Sequence, residues 1–343
     1  MKGGSNMRKT FKLIVPAVIL LMLAAQPVMA QEVYKFKISV DTVMDHPRNQ
    51  GLLLFMEGIK KKSGGRLIGE LFHSAQLYKS RDVPKALKLG TLEMGVPAVG
   101  VLPAWDINSN ITALPMFYGR SPEATRSLAD GEWGKAISES LEKKIGVKVL
   151  GRFYELGYVH ILTVGRPIEK IEDFKGLKIR YPVSPEFAMR ITAFGANPMQ
   201  VPLPDLPMAL LQGTVDGCIT NFKNADATKL DEAGIKYALK EYGQLVHYVP
   251  LVSNKFWNSL SGDFQKIMVE AWEEVVNKER AMSEKMQEEA EINLEKRGVK
   301  FYRPTEEERT KWRKYIMPAQ DPFVKKMKYD ERLIKLAEEK LGM

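Results

Sequence analysis

A repeating order of strand and helix, with glycines ending the helices, restricts this chain more than any other feature. Tyr34–Val40 alternates with period two and predicts a strand. Leu52–Lys62 carries apolar residues at helical spacing and stops at Gly64-Gly65. Arg66–Phe72 reads as the next strand, Val83–Leu89 as a helix closed by Gly90, and Thr91–Val96 as a strand. Pro122–Ile145 reads as one long helix, followed by a strand over Val147–Tyr154. Such alternation predicts an α/β protein with mostly parallel sheets. At about 150 residues per domain, 343 residues suggest two.

The second half keeps the rhythm. Val159–Val164 and Lys178–Tyr181 read as strands, and Pro185–Phe194 as a helix ended by Gly195. Asp205–Gln212 is a helix stopped by Gly213, with strands expected at Val215–Thr220 and Gln244–Leu251. Ser261 then offers an N-cap. Beyond it Phe264, Ile267, Met268, Ala271, Trp272, Val275 and Val276 share one helical face. That helix is expected to reach Lys296-Arg297 and stop at Gly298, a length of about 50 Å at about 1.5 Å per residue. A single small domain is not that wide, so the helix is expected to be a strut across two lobes. Glu306–Leu341 reads as further helix, broken around Pro318 and Pro322.

The N-terminus reads as an address. Lys2, Arg8, Lys9 and Lys12 precede the apolar run Leu13–Ala25, and Val28-Met29-Ala30 resembles a small-x-small cleavage site. The run is shorter than the roughly 20 residues that span a bilayer. Residues 1–30 are therefore expected to be a signal peptide, with the protein exported to the periplasm. The net charge of +9 owes part of its excess to that segment. Elsewhere Lys and Arg alternate with Glu, as in Asn277–Lys285, so a solvated surface is expected and no nucleic-acid partner. One cysteine, Cys218, excludes an internal disulfide and multi-cysteine zinc sites. His46, His73, His160 and His247 show no metal-ligand spacing, so neither metal nor cofactor is expected.

Catalytic signatures are missing: there is no G-x-S-x-G, no P-loop and no G-x-G-x-x-G opening a helix. What stands out is the segment from Gly157 to Phe222. It contains Pro167-Ile168, then Asp173-Phe174-Lys175-Gly176-Leu177-Lys178-Ile179-Arg180, then Phe194-Gly195-Ala196-Asn197-Pro198. Ala209-Leu210-Leu211-Gln212-Gly213-Thr214-Val215-Asp216-Gly217 follows. Upstream stand Asp45-His46-Pro47, Ser63-Gly64-Gly65-Arg66, Gln76-Leu77, Gly90–Gly95 and Leu114-Pro115-Met116-Phe117. In this order the motifs closely resemble the DctP-type solute-binding proteins of TRAP (tripartite ATP-independent periplasmic) transporters, over nearly all of the chain after residue 30.

The resemblance implies a two-lobed periplasmic-binding-protein fold with a ligand cleft between the lobes and a long helix spanning both. It implies capture of a small organic acid and delivery to TRAP permease subunits in the membrane, by a monomer and without catalysis. The lobes would be residues 31–157 with about 246–285, and 158–245 with about 286–343. Arg180 matches the family arginine that forms a bidentate pair with a ligand carboxylate, a role suited to a planar, permanently charged fork. Tyr158, His160, Pro182, Thr220, Asn221 and Phe222 would line the same site. Val159 occupies the position of a second arginine that many members carry, with His160 beside it. A less cationic pocket, and a monocarboxylate with an uncharged remainder, are therefore expected. Two other readings remain open here: a sensory binding protein presenting its solute to a sensor kinase or chemoreceptor, and an exported enzyme.

Overall fold

The computed structural model describes residues 32–343. The signal-peptide reading lies outside them. In chain order the strands are β1 (Tyr34–Ser39), β2 (Leu67–Phe72), β3 (Met94–Gly95), β4 (Val147–Val149), β5 (Tyr154–Thr163) and β6 (Lys178–Tyr181). They continue with β7 (Asn197–Gln200), β8 (Gly217–Thr220), β9 (Tyr237–Tyr248), β10 (Leu251–Ser253) and β11 (Lys300–Tyr302). These form a five-stranded sheet of order β2-β1-β3-β10-β4 and a six-stranded sheet of order β11-β9-β5-β8-β6-β7. The architecture is two-lobed α/β, as expected, but the sheets are mixed. β10 runs antiparallel to both β3 and β4, and β5 runs antiparallel to both β8 and β9. The reason is that β5 and β9 are long strands travelling in opposite directions and paired from Tyr154↔Tyr248 to Thr163↔Tyr237.

Three sequence expectations give way to backbone chemistry. Pro122–Ile145 is not one helix: it divides into Pro122–Ala129 and Glu132–Leu141 around an extended Gly131, with a π turn at Glu142–Gly146. The expected strand Gln244–Leu251 begins at Tyr237 and ends at Tyr248, and Val249-Pro250 separates it from β10. Further on, Pro318 does mark a break, but Pro322 sits in the first turn of the helix Gln320–Met327, where a missing N–H costs nothing. The chain breaks instead at Lys328, which is left-handed.

The long helix is Gly262–Lys296, capped by Ser261 accepting from the Phe264 N–H. Its first half packs on the first-lobe helix Pro47–Lys62, where Trp272 meets Phe55 edge-on at 5.6 Å. Trp272 also stacks on Tyr154, at the start of β5, at 4.0 Å and donates to the Arg152 carbonyl at 2.8 Å. Its second half holds the six-stranded sheet's helices, with Arg297 paired to Asp226 and Asp231 at 2.7 and 2.8 Å. One apolar core runs through both lobes, from Phe36, Ile38 and Phe55 by way of Trp272 and Tyr154 to Val159, Ile179 and Phe194. The last helix, Glu331–Lys340, does not follow the sequence division into lobes. It buries Leu333, Ile334 and Ala337 in the cluster that covers Trp133 and Ile137 of the first lobe.

Candidate functional site

In each sheet the strand order reverses once between parallel neighbours. β1 has β2 on one side and β3 on the other, and β6 has β7 on one side and β8 on the other. Open α/β sheets bind ligands at the carboxyl ends of such strands. Here those ends carry Asp41 and Thr42 after β1, Val96 after β3, Arg180 and Pro182 at β6, and Thr220, Asn221 and Phe222 at β8. The two ends face each other: Lys223, on the helix Phe222–Ala227 after β8, pairs with Asp45, in the loop after β1, at 3.2 Å.

Arg180 is 2 % exposed. Its Nε donates to the Val201 carbonyl at 2.7 Å and its NH1 to the Ile219 carbonyl at 3.2 Å, which fixes the plane of the fork. Burial pulls the guanidinium down to about 10, and the Cys218 thiol acts against this. Among the described residues no carboxylate lies within ion-pair distance of it. A buried cation without a counter-charge carries a desolvation cost of several kcal/mol, and an arriving anion would offset it.

His160 pairs with Thr220 across β5 and β8, stacks on Phe222 at 4.3 Å and accepts from the Tyr242 N–H through Nδ1 at 3.3 Å. Burial, aided by the Lys240 charge, holds it well below the usual histidine range. It is neutral at pH 7 and supplies no second cation. Tyr158 turns its hydroxyl away, donating to the Arg120 carbonyl at 2.9 Å. Asn221 is spent as an N-cap, accepting from the Asn224 N–H at 2.8 Å. Thr220 and Phe222 are buried and Pro182 is exposed. The fold therefore groups His160, Thr220 and Phe222 side by side, sets Arg180 beside Cys218 on the neighbouring strand pair, and leaves Pro182 at the rim.

Sequence reasoning missed the first-lobe wall. Arg48, 1 % exposed, donates to Asp41 and Thr42 at 2.7 Å each and to the Val96 carbonyl at 2.8 Å, over the Tyr248 ring at 4.3 Å. It ties the end of β1 to the end of β3. The signal was present in Asp45-His46-Pro47, since a proline and a capping histidine start a helix just after β1. Nothing local marked Lys223, whose partner lies far away in sequence.

The model of the family "Bacterial extracellular solute-binding protein, family 7" matches residues 40–327. A C4-dicarboxylate-binding periplasmic protein, DctP, of Rhodobacter capsulatus is 27% identical over 324 residues, 93% of this chain and 95% of the relative. A TRAP periplasmic solute-binding protein of Ochrobactrum anthropi superposes with TM-score 0.84 at 27% identity, covering 91% of this chain and 95% of that one. Another, from Desulfovibrio salexigens with bound orotic acid, gives TM-score 0.81 at 26% identity over 90% and 99%.

Proposed function

The chain belongs to the DctP family of bacterial extracellular solute-binding proteins, and on that premise we propose that it takes a monocarboxylate into the cleft at Arg180 and hands it to a TRAP permease. That it is a TRAP-type periplasmic solute receptor for organic acids follows from the family. Among the described residues, no helix is long and apolar enough to cross a membrane.

The observation that carries the finer reading is the uncompensated guanidinium of Arg180 at the end of β6. Two of its donors are held by carbonyls, so the remaining edge is oriented before any ligand arrives, which lowers the entropy cost of binding. A carboxylate offers two oxygens to a fork of parallel N–H groups. Val159 and the neutral His160 put no second cation at the neighbouring β5 position, which favours one carboxylate on an otherwise uncharged body. The bound orotic acid of the Desulfovibrio relative accords with a planar organic acid as cargo. We take the lobes as residues 31–157 with about 246–285 and 158–245 with about 286–343, save the last helix Glu331–Lys340, which packs on the first, closing on the cargo about the long helix.

The test begins with a thermal-shift screen of organic acids to find the cargo, followed by calorimetry. Truncating one partner of a buried charge pair costs about 2–5 kcal/mol, so Arg180→Ala is expected to weaken binding roughly 30-fold or more. Near-native affinity in a folded Arg180→Ala protein would overturn the reading.

A further inference from the structure

Three arginines, Arg120 and, on the helix Glu306–Ile316, Arg309 and Arg313, converge on one turn. Arg120 donates through Nε to the Met116 carbonyl at 2.8 Å and through NH1 to the Leu341 carbonyl at 3.1 Å. Arg309 donates through Nε to the Gly119 carbonyl at 3.2 Å and through NH1 to that of Pro304 at 2.6 Å. Arg313 donates through NH1 to the Tyr118 carbonyl at 2.8 Å and through NH2 to Thr310 Oγ1 at 3.1 Å. Three cations thus share the turn 116–119. Among the described residues none of them has a carboxylate within ion-pair distance. All three are half-buried.

Their mutual influence is repulsive. Burial and the charges of Arg120 and Arg309 lower the Arg313 guanidinium, and Glu306 acts on it in the opposite sense. The Arg309 guanidinium also lies 5.0 Å from the Tyr242 ring centroid, and Tyr242 is left-handed at φ 54. A bulky residue held there by its surroundings marks a locally strained backbone. Like charges gathered in a partly desolvated place are stabilised by an anion that bridges them.

We propose that Arg120, Arg309 and Arg313 form a second anion site, which takes a free tetrahedral oxyanion of the phosphate or sulfate class. It adjoins the cleft without sharing Arg180: Arg180 lies on β6, with β8 and β5 between it and Tyr242 on β9, while the Tyr242 N–H donates to His160 Nδ1 at 3.3 Å. The chemistry differs as well. One fork in the cleft suits a planar carboxylate, whereas three forks around a turn suit an ion with oxygens on several sides.

The test is titration calorimetry of the cargo-free full chain with inorganic phosphate at constant ionic strength. Saturable binding with one phosphate per chain is expected. Loss of one charge-assisted contact should weaken it about tenfold in Arg313→Gln. Arg313→Lys should also lose affinity, while Arg180→Ala should bind phosphate as the unsubstituted protein does. If Arg313→Gln is unstable, Arg120→Gln serves in its place with the same expectation. Phosphate binding that disappears in Arg180→Ala and persists in Arg313→Gln would overturn the proposal, as would no saturable binding at all.

Discussion

At the scale of the residue, the protein uses buried titratable groups in two opposite ways. Arg180 keeps its charge where no acid answers it, while His160 gives its charge up. Neither changes state between pH 6 and 8, so cargo affinity should be flat across that range by calorimetry. A rise in affinity as pH falls through 6.5 would mean that His160 does become the second cation. Glu279 behaves differently. Burial pushes its carboxyl up to about 8, against the Glu155 N–H that it accepts at 2.9 Å. The native state then holds a proton that the unfolded chain releases above about 4.5. Stability from this group is therefore lost as pH rises from about 4.5 through 8. Glu279→Gln should remove that loss. It should gain about 1–3 kcal/mol on the unsubstituted protein between pH 5 and pH 8 in urea unfolding, and an unchanged difference would count against a protonated Glu279. Arg180 was legible in the sequence because a motif surrounds it. Glu279 was not, since one acid among many on a helix reads as solvated until its burial is known.

At the scale of the element, helices were legible where side chains close their own ends. Ser261 and Gly298 bound the long helix in the sequence as they do in the structure. Strands were less so. β9 hides because Tyr242 bulges out of register opposite β5, which breaks the period-two pattern that the eye follows. Mixed pairing was also invisible, for nothing in a short apolar run states which neighbour it will take. Packing between elements adds a constraint that propensity would misjudge. Gly51 lies in the helix Pro47–Lys62, and a Cβ there would stand 2.8 Å from Glu279 Cγ and 3.0 Å from the Tyr154 ring. Gly51→Ala would favour the isolated helix by up to about 1 kcal/mol. The clash should nonetheless make the protein less stable by about 1–3 kcal/mol in urea unfolding. A stabilised variant would show that the two helices can part.

At the scale of the whole molecule, the pair Lys223–Asp45 joins the two lobes at the mouth of the cleft. Asp45 is 67% exposed, so the pair is worth about 0.2–1 kcal/mol. Lys223→Ala should weaken cargo binding by no more than about fivefold, mainly through faster release, and high salt should erase the difference. A salt-independent loss measured by stopped flow would assign Lys223 to the cargo itself. Closure should also compact the molecule in small-angle scattering when cargo is added, and an unchanged radius would contradict a hinge.

The position of β10 has a consequence for how the protein comes into being. Leu251–Ser253 lies inside the first sheet, with β3 on one side and β4 on the other. Residues 94 and 149 are made long before it, yet among the described residues β4 has no other strand to join. A ribosome that has released the first half has therefore released a sheet with a gap between β3 and β4. The nascent chain must wait about a hundred residues for the piece that fills the gap. Such distant pairing makes for slow folding, and the first sheet cannot be completed until residue 253 has been made.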